Sequence, residues 1–191
     1  MAARTSMADL ILNLRNLTSA GSAEYTVNAV TMWTDEQLQT VLDRHVTYVK
    51  DQQIRPEETL ESGGSVAYYD YQSPYRFFES TSGGTSRFII KDETYATVGT
   101  AAYSVDYPRG RINFGTSTAG LTRYLTGFSY DMNAAAADVW SQKASHYVTA
   151  YDVSTDNHSL KRSQIIQGCL TMAREYASGS QVFTVSIDRG D

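Results

Sequence analysis

The chain has 191 residues, 41% of them hydrophobic and 19% charged, with a formal net charge of −5. That balance excludes a disordered chain, which would be richer in charge and poorer in apolar residues, and it provides no basic stripe for gripping phosphates. The single Cys169 excludes an internal disulfide framework, and no apolar run approaches the roughly 20 residues of a membrane span.

The first element is a helix from Ser6 to about Leu17. Leu10, Ile11, Leu14 and Leu17 fall at helical spacing, with Ser6 as a cap candidate and Asp9 in the first turn. Thr18 to Ser22 has loop composition, and Tyr25 to Trp33 reads as a connection whose structure the pattern leaves open. Thr34-Asp35-Glu36-Gln37 is a capping box, Thr34 at the cap and Gln37 reaching back. Leu38, Val41, Leu42, His45 and Val49 mark one face of a second helix, which the first helix can cover.

Past Pro56 the helical period gives way to alternation. Strands are expected at Ser65 to Gln72, Tyr75 to Glu79, Arg87 to Asp92 and Leu121 to Tyr130. The clearest hairpin spans Ala101 to Gly115: Tyr103, Val105 and Tyr107 alternate inward, Pro108-Arg109-Gly110 turns, and Ile112 and Phe114 return. Short strands with Gly-rich turns argue a small antiparallel sandwich or barrel. From Asn133 the helical period returns in Trp140, Ala144, Tyr147, Val148 and Tyr151. After a polar break at Ser154 to Asn157 it resumes in Ile165, Cys169, Met172 and Tyr176.

These elements predict an α+β chain. Residues 1–59 and 133–179 form an antiparallel helical bundle built from both chain ends, residues 60–132 form an inserted antiparallel β-sandwich or barrel, and residues 180–191 form a tail. Helices near both ends cannot bury their stripes alone, and insertion at an exposed connection costs little loop entropy. In the tail, Val182, Phe183, Val185 and Ile187 suggest a strand with no obvious local partner. It would pair with another chain, close the β-domain, or remain a disordered end.

No catalytic template is met, so no enzyme activity, cofactor or metal is assigned. His45 falls on an apolar helix face, His146 beside Tyr147, and His158 near the cap of the last helix. No zinc spacing links them. Cys169 lies in an apolar stripe and behaves as a small hydrophobe. The acids Asp35-Glu36, Glu57-Glu58 and Asp92-Glu93 are scattered, though folding could bring two together. Gly63-Gly64 and Gly83-Gly84 punctuate turns and lack the lysine of a phosphate loop. The 14 Tyr, against 6 Phe and 2 Trp, suit half-exposed strands and contact surfaces. Tyr68, Tyr69, Tyr71, Tyr75, Phe77 and Phe78, with Tyr95 nearby, form either core or a stacking platform. The platform would make the chain a carbohydrate- or surface-binding module. A hydrolase would need His, acid and Cys or Ser to converge in a pocket. The polar Met1 to Ser6 shows no signal-peptide pattern, so the expected compartment is the cytoplasm or an assembly formed there, and the sequons at Asn16 and Asn157 carry no weight.

The order of features resembles the tailed-bacteriophage head–tail connector (adaptor) proteins. The resemblance lies in the Met7 to Arg15 helix, the loop, and then Trp33-Thr34-Asp35-Glu36-Gln37-Leu38-Gln39-Thr40-Val41-Leu42-Asp43. The Asp106 to Phe114 hairpin is similar to one recurrent in phage structural proteins, and the helices from Ala134 to Tyr176 fit the bundle half of an adaptor. The resemblance covers about half the chain, and its motifs are packing and capping patterns. It implies a virion protein at the head–tail interface: a ring of identical copies, commonly a dodecamer, that binds the portal protein and meets the next tail-side protein. DNA would slide through without specific binding, which an acidic wall suits. It also implies that the tail, through Val182, Phe183, Val185 and Ile187, reaches the portal.

Overall fold

A computed structural model of the chain describes residues 2–22, 24–27, 30–81, 87–148, 153–155, 158–160 and 162–180. It divides into two compact units, Met1–Tyr130 and Asp131–Asp191.

In the first unit, helix α1 (Ala8–Thr18) buries Leu10, Ile11 and Leu14 and stops where Ser19 turns left-handed, its N–H bonded to the Arg15 carbonyl. Ser6 is not its cap; Ser6 lies in the preceding 3-10 turn and points its hydroxyl at Glu79. The Tyr25 to Trp33 connection contains a short antiparallel hairpin, β1 (Thr26–Val27) with β2 (Val30–Thr31). Helix α2 (Asp35–Asp43) opens on the expected capping box, with Thr34 and Gln37 bonded reciprocally. Arg15 ties these pieces together by bonding the Ala20, Gly21 and Trp33 carbonyls and the Asp35 carboxylate.

Helix α2 ends at Asp43, where the sequence reading carries it on through His45 and Val49. Strand β3 (Val46–Leu60) begins instead. Val46-Thr47-Tyr48-Val49 is a β-branched and aromatic run that suits a pleated surface, and a partner strand is at hand. β3 spans 15 residues. Its first part pairs with β8 (Arg123–Tyr130), from Val46↔Tyr130 to Ile54↔Arg123, and its second with β4 (Val66–Gln72), from Arg55↔Gln72 to Leu60↔Val66. With β5 (Phe88–Lys91), β6 (Tyr103–Asp106) and β7 (Arg111–Phe114) these make a six-stranded antiparallel half-barrel, ordered β5-β8-β3-β4-β7-β6.

Curvature comes from a bulge between Val49 and Gln52, where Asp51 adopts a φ of 47°. Its side chain is fixed by Lys91 Nζ at 2.6 Å and by the Thr126 hydroxyl at 3.1 Å. The concave face holds the core: Val49, Ile54, Tyr71, Phe78, Phe88, Ile90, Ile112, Phe114 and Leu125. The expected β6–β7 hairpin forms, with Tyr103, Val105 and Tyr107 packed on that core. Its turn requires Gly110, at φ +67°, because a Cβ there would stand 2.2 Å from the Tyr75 carbonyl oxygen. Of the expected strand Tyr75 to Glu79, only a single bridge at Phe78↔Ser129 forms.

In the second unit, Asp131 caps helix α3 (Met132–Tyr147) by accepting from the Asn133 and Ala134 amides. A two-stranded hairpin, β9 (Val153–Thr155) with β10 (His158–Leu160), occupies the region read as a polar break, and helix α4 (Arg162–Ser178) follows. α3 and α4 pack on each other, and the Asn133 amide donates to the Gly179 carbonyl at 2.6 Å.

The expected bundle built from both chain ends around an inserted sandwich or barrel is therefore corrected. The N-terminal helices belong with the sheet, and the C-terminal helices pair with each other. The physical reason is β3: once residues 46–60 are strand, α1 and α2 are joined directly to the half-barrel, and α3 finds its partner in α4.

Leu125 is fully buried on β8, between β5 and β3. Leu125→Ala is expected to lower unfolding free energy by about 2–5 kcal/mol. Leu12→Ala, on the 56% exposed face of α1, should change it by no more than about 0.5 kcal/mol. Chemical denaturation of both variants checks this.

Candidate functional site

The tail residues Val182, Phe183, Val185 and Ile187, expected to contact the portal, lie outside the described residues. Cys169 is buried on α4, as a small apolar residue would be. His45 sits past the end of α2 rather than on its face, and His158 lies on β10 rather than at a cap. Among the described residues, no cluster of His, Cys, Asp or Glu is placed to hold a metal ion.

The aromatic segment divides between core and surface. Tyr71 and Phe78 are fully buried, and Tyr75 packs against the core. The Tyr71 hydroxyl meets the Thr118 hydroxyl at 2.6 Å and donates to the Leu121 carbonyl at 2.7 Å. Tyr68 and Tyr69 are half-exposed, but their hydroxyls donate to Glu58 and Glu61, and Gly120 lies close against the Tyr68 ring. These carboxylates hold both phenols above their usual pKa range. Tyr95 is on another surface, stacked on Tyr124 at 4.5 Å. The residues expected to form one platform thus face different ways.

A buried polar cluster was invisible to pattern reading. Glu79 is fully buried and takes a hydrogen bond from Ser6 Oγ at 2.5 Å, from Tyr130 Oη at 2.8 Å and from Arg4 Nε at 3.1 Å. Arg4 also grips Asp43 with both terminal nitrogens, at 2.6 and 3.0 Å, and its backbone N–H donates to Gln39. Hydrogen bonding to Asp43 holds Arg4 more firmly protonated than a free guanidinium, against the effect of burial. Burial and the bond to Glu79 push the Tyr130 phenol well above its usual range. With no exposed surface, Glu79 has no route to a substrate. The cluster fastens the segment before α1 to α2 and to β8. The available signal was one acid directly after Phe77-Phe78.

Two accessible features lie toward opposite ends of β3. Pairing of β3 with β8 stops at Ile54, and pairing of β4 with β7 starts at Asp70. Beyond those points the β3–β4 hairpin runs on as an arm, with Leu60 and Val66 exposed at 74% and 51% as a cross-strand pair near its tip. Pro56, Glu57 and Glu58 stand along the arm where β8 no longer covers it, a composition that discourages edge-to-edge pairing. Arg111 braces the arm's base by bonding Glu57 at 3.2 Å and Asp70 at 3.1 Å. A cleft of about 740 Å³ lies beside it, lined by Arg55, Glu57, Glu58, Tyr68, Gln72 and Gly120 among others. At the other end, Tyr48 and Phe128 pair across strands with their rings 5.1 Å apart. They line a depression of about 370 Å³ with Arg87, Ile89, Thr126 and Gly127.

Comparison with protein-family models, with curated proteins and with solved structures finds no match for this chain. No helix among the described residues is long and apolar enough to cross a membrane.

Arg4→Met should strip buried Glu79 of its hydrogen-bonded cation, leaving only the 3.7 Å ion pair with Arg87, and lower stability by about 1–3 kcal/mol, measured by chemical denaturation. The Tyr130 phenol has a raised folded-state pKa, so its stabilising contribution is complete below the unfolded value of about 10 and falls as pH rises beyond it. Tyr130→Phe should therefore lose less stability between about pH 10 and 11 than the parent chain.

Proposed function

We propose that this chain is a structural adaptor of a tailed bacteriophage, forming a ring of identical copies between the portal and the next tail-side protein. DNA passes through the ring without specific binding, consistent with a formal net charge of −5. The tail residues Val182, Phe183, Val185 and Ile187 form the portal contact.

The observation that carries this reading is the β3–β4 arm. It outruns the sheet on both flanks and ends in exposed aliphatic side chains, the form expected of a protein whose work is done at interfaces. The resemblance of the α1-loop-α2 segment and of the β6–β7 hairpin to adaptor proteins directs that general reading to the head–tail joint. A sugar-binding module is less well supported, because Tyr71 and Phe78 are core residues and Tyr68 is covered on one side by Gly120.

The test is co-sedimentation of the full chain with rings of the portal protein encoded in the same genome. The expected result is binding at a fixed ratio of chain to ring, weakened at least about tenfold by deleting residues 181–191 while circular dichroism is unchanged. A full chain that does not sediment with the portal would overturn the adaptor reading.

A further inference from the structure

The loop that follows β5 holds a tyrosine tightly in place. The Asp92 carboxylate accepts from the Thr94 and Ala96 amides, and its carbonyl accepts from the Tyr95 amide, so the loop is an Asx turn closed on itself. Tyr95 has a φ of 64°, a left-handed backbone that an aromatic residue keeps only where its surroundings fix it. Thr97 bridges back to Lys91, and Glu93 bonds Arg123 at 2.7 Å. Together these ties bring the loop against β8, where Tyr124 is the register partner of Lys91.

The Tyr95 and Tyr124 rings lie nearly parallel, 13° apart, with centroids separated by 4.5 Å. Tyr95 is 55% exposed and Tyr124 half-buried, so solvent reaches the pair. A side-chain hydrogen bond with Tyr95 raises the Tyr124 phenol above its usual range, and it sets the two oxygen-bearing ring ends side by side. This is the arrangement in which phenoxyl radicals couple. The unpaired electron of a phenoxyl spreads onto the ring carbons next to the oxygen, in orbitals perpendicular to the ring. A bond between two such carbons therefore forms across a stack. Facing rings at carbon contact distance are a near-attack geometry for that bond.

We propose that Tyr95 and Tyr124 are a site of oxidative cross-linking, joined by a one-electron oxidant of the peroxidase class into a dityrosine that staples the 92–97 loop to β8. Each phenol gives up one electron and one proton; one hydrogen peroxide takes both electrons and both protons and leaves as two waters. The two radicals form one carbon–carbon bond between ring positions next to the hydroxyls. Those two carbons then release their hydrogens as protons while the oxygens take protons up, which restores both aromatic rings and both hydroxyls. The product is the chain less two hydrogen atoms, bridged between residues 95 and 124. None of this chemistry depends on the adaptor reading.

The experiment is oxidation of the full chain at about 1 μM with a haem peroxidase and hydrogen peroxide, a dilution at which a partner ring on the same chain, at an effective concentration on the order of 1 mM or more, outcompetes other chains. The expected product is monomeric, shows the blue fluorescence of dityrosine and is lighter by two hydrogen atoms. Its proteolytic digest should contain peptides joined at residues 95 and 124. Tyr95→Phe and Tyr124→Phe, with circular dichroism unchanged, should each cut the monomeric dityrosine at least about tenfold, because phenylalanine has no hydroxyl to oxidise. Tyr48→Phe removes an equally exposed phenol that sits beside Phe128, and should leave the yield unchanged. Unfolding the chain in urea before oxidation should abolish the preference for this pair. An intact chain without monomeric dityrosine, a cross-link formed mainly through other tyrosines, an undiminished yield from either phenylalanine variant at the pair, or the same pair selected in the unfolded chain would each overturn the proposal.

Discussion

β3 is the constraint on which the first unit is built. Its first part is held by β8 and its second by β4, so one continuous strand joins what would otherwise be two separate sets of paired strands. The bulge at Asp51 bends it between those partners, and Lys91 and Thr126 fix the left-handed residue with side-chain bonds. That local strain costs on the order of 1 kcal/mol, and it bends the sheet around Ile54, Phe88 and Leu125. Pairing with β8 stops at Ile54 and β7 pairs with β4 only over Asp70 to Gln72, so the far end of β3 runs on with β4 alone. That stretch is the arm.

The Arg4–Asp43–Glu79–Tyr130 cluster solves a second problem, how a helical start is fixed to a sheet. A carboxylate such as Glu79 is expensive to bury alone, but each of its oxygens has a donor, and Arg4 also binds the more exposed Asp43 with two nitrogens. The geometry needs Arg4, Ser6, Asp43, Glu79 and Tyr130 together, so it specifies one docking of the N-terminal segment where apolar packing would tolerate several.

Local chemistry was legible in the sequence wherever a short segment determined its own structure. The Thr34–Gln37 capping box, the α1 stripe, the turn at Pro108-Arg109-Gly110 and the two C-terminal helices all form. The error at residues 44–59 has a definite origin. Val49 falls at helical spacing from Leu42 and also on a period-two strand, and periodicity alone could not separate the two. The β-branched run Val46-Thr47 was the better guide. From that error followed the bundle that does not exist, since a helix through Val49 would have needed helical partners. The Glu79 cluster draws on residues from Arg4 to Tyr130, a separation no local pattern reports, and the aromatic segment split because alternation says which residues share a face but not which face meets the core.

Among the described residues, large apolar side chains stand exposed toward both ends of β3, Tyr48 near its start and Leu60 at its end. The most direct measurement is amide hydrogen exchange on the full chain, alone and bound to portal rings. The account predicts that amides of residues 57–66 gain protection in the assembly, while the core amides of Ile54 and Leu125 are unchanged. Assembly that leaves the arm as exposed as in the free chain would contradict it.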